Sequence, residues 1–278
     1  MKMTVKEKNS QLMNVGVLGS FLAISFGLTW GIALLLILFP EQLTMIFGEI
    51  NYTNPLYILG VYAPGIAGLF LVLRHYGWRG LGSYLRRLTL FRASFNWWLF
   101  LLLGIPFFYY VGALITGSFN EPFPFDPWYS VLPTLLFMLA LGPVEEFGWR
   151  GVGLPLIQQR FVPLWSGLII GAVWGVWHLP SFFVGGTPHS EWAFVAFFVG
   201  VISLSVIMTA LFNSSRGSLI IAVLFHFQIN NPIWPDSKPW DFIIFTIVAV
   251  IVVALNREKM LTFKDSVTEV LMPVDEKG

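Results

Sequence analysis

Two hundred seventy-eight residues with 56% hydrophobic and only 11% charged side chains lie far from the ~45–50% apolar, ~25% charged composition of soluble domains. With a mean hydropathy of +0.74, this excludes a water-soluble globular fold. A net charge of +1 gives no basic surplus for nucleic acid, and the absence of cysteine removes disulfides, thiolate zinc sites, a Cys nucleophile and lipidated Cys.

The polar start MKMTVKEKNSQLMNV leads into an apolar stretch too long for a signal-peptide core and without a clear small-residue cleavage site, so it reads as a retained first span. Apolar segments follow near 16–39, 56–73, 97–117, 131 to about 153, 163–183, 192–213, 217–234 and 240–255, each near the length that crosses a hydrocarbon layer of ~30 Å. The expected fold class is therefore all-α, a polytopic membrane protein of about eight transmembrane helices with a buried polar site. No repeat or long linker divides the chain, so residues 1–278 read as a single integral membrane domain. The arginine-studded stretch from Gly77 to Phe95, with Trp78, Leu81, Tyr84 and Leu85, reads as an interfacial helix with an anchoring role and no binding role.

Alternate inter-span segments carry the cations. From Lys2, Lys6 and Lys8 through Arg74–Arg92, Arg150, Arg160 and Arg216 to Arg257, Lys259, Lys264 and Lys277, every Lys and Arg except Lys238 falls on one side. The other side holds Glu41, Glu49, Glu121, Asp126, Glu191, Asp236 and Asp241. The positive-inside rule then puts both termini in the cytoplasm.

An ionisable group at bilayer depth costs at least ~2.5–3.5 kcal/mol on insertion scales and needs a reason to be there. Glu145 and Glu146 stand in the fourth span, His178 in the fifth, His226 and Asn230 in the seventh. Glu146 and Arg150 are four apart, acid first, the favourable order for a pair on one helix face. Glu145 points ~100° away and needs a partner from another helix. Trp174 with His178, and His226 with Asn230, repeat the four-residue spacing. Counted at ~1.5 Å per residue from the basic ends of their helices, Glu145, His178 and Asn230 lie ~21–22 Å deep and His226 ~15 Å, with a kink at Pro155 allowed for. Costly residues from three helices at similar depth point to one watered pocket.

A carboxylate, two imidazoles and an amide supply a general base, a second proton-handling group and oxyanion donors, the parts of water-mediated acyl hydrolysis. No Asp lies within a span, no Gly-x-Ser-Gly turn is present, and no His-Glu-x-x-His occurs, against aspartyl, serine and the usual helix-borne zinc designs. A divalent metal such as zinc on Glu145 (or Glu146), His178 and His226 remains chemically open, since three N/O ligands plus water make a catalytic site.

Glu145-Glu146-x-x-x-Arg150, Trp174-x-x-x-His178 and His226-x-x-x-Asn230, in that order on the fourth, fifth and seventh spans, resemble the CPBP family of intramembrane proteases, also called CAAX prenyl protease 2, Rce1-like or Abi. The resemblance is close over the core at 131–235 and rests elsewhere on span count. It implies an intramembrane endopeptidase, a hydrolase in which Glu145 and His178 activate water, His226 and Asn230 stabilise the oxyanion, and Glu146, Arg150 and Trp174 support the site. Trp174 stands where the family usually has Phe, which is expected to alter packing rather than chemistry. No cofactor is expected to be required, although the family is often called a metalloprotease. The implied partners are a membrane-associated peptide or protein substrate, including prenylated ones, and the lipid bilayer, with no nucleic acid. The implied location is integral to a membrane, with a prokaryotic cell membrane expected. Two other classes compete: a non-catalytic membrane protein such as a bacteriocin self-immunity factor, and a proton-coupled transporter using Glu145 and His178 as a relay.

Overall fold

The structure, a computed structural model, describes residues 13–271. The readings made for the N-terminal dodecapeptide, including Lys2, Lys6 and Lys8, and for Lys277 lie outside the described residues. Among the described residues six helical segments are long and apolar enough to cross a membrane: α1 Val15–Leu38, α2 Pro55–Thr89, α3 Phe95–Thr116, α4 Trp128–Gln158, α5 Pro163–Phe183 and α6 Phe194–Ser214. Two shorter apolar helices follow, α7 Leu219–Ile229 and α8 Asp241–Leu255. The eight expected segments are all present and the protein is a polytopic all-α membrane protein, but the seventh ends earlier than its hydropathy suggests. Pro232 lies two residues past Asn230, the C-cap of α7, and a proline cannot continue a helix. The chain from Asn231 to Trp240 runs without regular helix.

Sequential antiparallel neighbours pack closely, α1 on α2 and α5 on α6, and α6 also packs on α8, which runs parallel to it. Helix α2 lies so close to α4 that a Cβ on Gly148 would sit 2.2 Å from the Pro64 carbonyl oxygen, and one on Gly68 2.5 Å from that of Phe147. Small residues allow this approach of backbones where lipid offers no hydrophobic drive.

The interfacial reading of 77–95 needs correction. The helix breaks at Gly77, at φ 62° and ψ −171°, and Trp78 and Leu85 are exposed as an anchor requires, yet residues 90–94 are not helical. The inward face also does more than anchor. Tyr84 Oη donates to the Phe147 carbonyl. The buried Arg87 donates from Nε to Gly217 O at 2.8 Å and from Nη1 to Val270 O at 2.9 Å and Gly151 O at 3.2 Å. Pro155 has no N–H to give the Gly151 carbonyl four residues before it, and the Arg87 guanidinium supplies that donor.

Helix α4 is accordingly irregular ahead of Pro155. It passes from α-helix through a 3₁₀ turn at Gly142–Glu145 to a π-helical stretch at Trp149–Gly153 before a last α turn at Leu154–Gln158. Arg150, grouped above with the basic loops, is fully buried within that π stretch.

Candidate active site

Three of the chemistry-bearing residues sit at breaks in regular helix, whereas His226 lies within α7. Glu145 ends the 3₁₀ turn of α4. His178 caps the α-helical part of α5, two residues before Pro180, and Asn230 caps α7, two residues before Pro232. Irregular backbone at membrane depth is tolerated where it lines a cavity, and here a cavity of ≈ 850 Å³ is lined by Glu145, Trp174, His178, His226 and Asn230.

Trp174 joins the group. Its Nε1–H donates to Glu145 Oε2 at 2.7 Å, its ring lies 5.4 Å from that of His226 and 5.7 Å from that of His178, and the Arg150 guanidinium stands 4.6 Å from its centroid. The partner that Glu145 lacks on its own helix is thus the motif tryptophan of α5. Its role extends beyond the altered packing expected for a Phe-to-Trp exchange, because phenylalanine has no N–H to give.

Both histidines have one nitrogen committed. His178 Nδ1 lies 2.8 Å from the Trp174 carbonyl oxygen; a carbonyl only accepts, so Nδ1 carries the proton and Nε2 keeps a free lone pair. His226 Nδ1 lies 2.7 Å from Glu146 Oε1. Glu146 in turn meets Arg150 Nη1 at 3.3 Å, so the pair expected from the four-residue spacing is a buried triad with His226. Glu146 and Arg150 have no solvent exposure and lie behind the cavity wall. Neighbouring bonds fix α5: Trp177 Nε1 donates to Thr29 Oγ1 at 2.9 Å, and Trp30 Nε1 to Trp177 O at 3.1 Å.

Two participants were not singled out from the sequence. Gly142 faces the amide and imidazole directly: a Cβ there would lie 2.7 Å from Asn230 Nδ2 and 3.1 Å from His226 Nε2. His189, in the short turn Pro188–Glu191 between α5 and α6, holds its ring 5.2 Å from that of His178 at a tilt of 42° and lines the cavity with its Nδ1 buried and unpartnered. A glycine directly ahead of Pro-Val-Glu carries no spacing signal, but a histidine in the segment connecting α5 and α6 was visible. Among the described residues, no three His, Asp or Glu side chains are grouped so as to hold a metal ion.

An eight-segment α-helical membrane protein with a carboxylate, two imidazoles and an amide around one internal cavity defines the class. Residues 127–231, which contain every one of these side chains, match the family described as Type II CAAX prenyl endopeptidase Rce1-like. Over 136 residues the chain is 31% identical to the CAAX prenyl protease 2 of Methanococcus maripaludis, an alignment covering 47% of this chain and 48% of that protein. The chain thus spans about half the length of the curated relative it matches.

Proposed function

We propose that the protein is an intramembrane endopeptidase that hydrolyses a peptide bond of a membrane-associated substrate by activated water, in the manner of CAAX prenyl protease 2. The observation that carries this reading is the convergence of Glu145, His178, His226 and Asn230 on one cavity, with Trp174 bonded to one oxygen of Glu145 and the other left for water.

A water between Glu145 and His178 Nε2 loses a proton to the carboxylate as its oxygen attacks the scissile carbonyl carbon. The carbonyl π electrons move to oxygen, where Asn230 Nδ2–H and His226 Nε2–H donate to the developing charge. For His226 to donate there, both its nitrogens carry protons, and the Glu146 carboxylate at Nδ1 faces the positive ring. With Glu145, Glu146, Arg150 and His226 all ionised, the group sums to zero charge, which suits a desolvated setting. The proton held by Glu145 passes to the departing amine nitrogen as the C–N bond breaks, which leaves a carboxylic acid and an amine.

We further propose that this chemistry uses no metal, since no three His, Asp or Glu side chains are grouped to hold one among the described residues. The substrate class proposed from the relative's name is a prenylated or otherwise membrane-held peptide, with a basic-side location for both termini. The test is cleavage of a library of lipidated and unlipidated peptides by purified protein, with Glu145→Gln protein as control and a chelator present. Cleavage that needs Glu145 and survives chelation supports the reading. Absence of cleavage, or activity that chelation abolishes and zinc restores, overturns it.

A further inference from the structure

The two ends of the helix bundle differ in charge and in access to the cavity. At one end the segments joining α2 to α3, α4 to α5 and α6 to α7 come together with the chain after α8. Gln158 Nε2 donates to Val267 O at 2.8 Å, Gln159 Nε2 to Thr268 O at 3.0 Å, and Arg87 to Gly217 O and Val270 O. Arg79, Arg86, Arg92, Arg160, Arg216 and Arg257 belong to this end. At the opposite end Gly186 abuts Ile50, Ser118 Oγ donates to Asp236 O at 2.5 Å, and the Lys238 ammonium lies 4.5 Å from the Trp192 centroid.

The cavity belongs to the second end. Its wall runs from Glu145 and His178 up through Glu191, Trp192, Asp236 and Asp241, and includes no residue of the connecting segments at the basic end. Toward the basic end, Trp149, Arg150, Val152, Leu154 and Leu156 have no exposure at all, and below them Gln158 and Asn213 exchange hydrogen bonds at 2.6 and 3.1 Å. A substrate arriving there would meet closely packed side chains. The mouth carries Glu191, Asp236 and Asp241 against Lys238, whose ammonium is already 3.5 Å from Asp236 Oδ1. A mouth whose carboxylates outnumber its one ammonium, set between low-dielectric walls, concentrates cations.

Resting on the proteolytic reading above, we propose that the site is served from the membrane face opposite the basic loops, the extracytoplasmic face by the positive-inside rule, and that it takes a cationic, membrane-associated peptide segment exposed there.

The chain has no cysteine, so single-cysteine variants Glu191→Cys and Arg257→Cys need no background removed. Both positions are exposed. In intact cells a membrane-impermeant maleimide labels position 191 and spares 257 until the membrane is permeabilised; the reverse pattern overturns the proposal. Sealed right-side-out vesicles are then given impermeant fluorogenic peptides that share one apolar segment and differ in basic or acidic flanks. Cleavage of the basic peptide at least about tenfold faster than the acidic one, lost in Glu145→Gln, supports the proposal. Cleavage confined to inside-out vesicles, or equal rates for the two flanks, overturns it. Failure of every peptide even in detergent overturns the proteolytic reading instead, while the labelling pattern still decides which face the cavity opens to.

Discussion

Trp174 Nε1 donates to Glu145 Oε2 at 2.7 Å, and the same indole stands under the Arg150 guanidinium at 4.6 Å. A bond to a charged group contributes about 1.5–3 kcal/mol, and here it joins the two helices whose relative position sets the distance from Glu145 to His178. Trp174→Phe keeps an aromatic ring at the site and removes the donor. Peptidase activity is expected to fall by about tenfold or more while yield stays close to parental, since an orphaned carboxylate oxygen can turn to cavity water. Parental kcat/KM in purified Trp174→Phe would mean that the bond does not position the carboxylate.

If Glu145 and His178 act on one water, their losses are not additive. Glu145→Gln preserves side-chain shape and removes the base, so its rate should drop by about 10² to 10⁴ with expression nearly unchanged, and His178→Ala should do the same. The double variant should then be little slower than the worse single one, as for residues that act as a unit. Multiplying losses, measured by single-turnover cleavage, would separate the two residues into independent roles.

The sequence disclosed the span pattern, the membrane class and the seven candidate residues that the structure brings near one another, because a charge in an apolar run and a four-residue spacing are local signals. What escaped it was partnership across helices. Glu146 with Arg150 was legible as a pair, but the 2.7 Å approach of His226 Nδ1 to Glu146 Oε1 depends on how α7 docks on α4. Arg87 read as one more interfacial arginine, although its guanidinium closes three carbonyls at the basic end. Helix endings were less legible: the apolar runs carried the fifth and seventh spans on through Pro180 and Pro232, whereas the α-helices end at His178 and Asn230, and the π stretch at Trp149–Gly153 follows from tertiary contact.

Glu146, Arg150 and His226 are expected to behave differently from Glu145. Glu146→Gln strands a guanidinium with no exposure, and breaking a buried pair by removing one partner costs about 3–5 kcal/mol. Arg150→Ala strands the carboxylate in the same way. Both variants should show lower yield and earlier thermal unfolding in detergent, together with lost activity. Glu145→Gln, whose partner Trp174 is uncharged, should unfold close to the parental temperature. Equal unfolding temperatures for Glu146→Gln and Glu145→Gln would show that the triad does not hold the bundle together.

His189 gives a pH dependence with a definite sign. Burial, with Lys238 as a smaller cause, holds its pKa down to about 4, whereas an unfolded histidine titrates near 6.5. Between those values the unfolded chain takes up a proton that the folded chain does not. The contribution is therefore fully present above pH ~6.5 and is lost as pH falls through the window toward ~4. His189→Phe keeps the packing against Trp192 and Phe197, whose ring centroids lie 4.8 and 5.0 Å away, and deletes the titration. Between pH 7 and pH 4.5 the parent should lose more thermal stability than the variant; parallel losses would place the acid sensitivity elsewhere.

Gly142 tests the oxyanion donors without touching them. Its backbone is right-handed helical at φ −69° and ψ −49°, so alanine adds no conformational strain, yet the new Cβ would lie 2.7 Å from Asn230 Nδ2 and 3.1 Å from His226 Nε2. The Asn230 amide is the end of a short side chain at the cavity wall and can swing away, so Gly142→Ala should fold and unfold nearly as the parent does. Its amide, however, would no longer point where the oxyanion forms, and removing one such donor costs about 10² to 10³ in rate. Asn230→Ala should show a loss of the same size, and Gly142→Ala combined with Asn230→Ala should be no slower than either alone, since both remove one interaction. A Gly142→Ala protein that unfolds normally and cleaves at the parental rate would remove Asn230 from oxyanion stabilisation and leave that charge to His226.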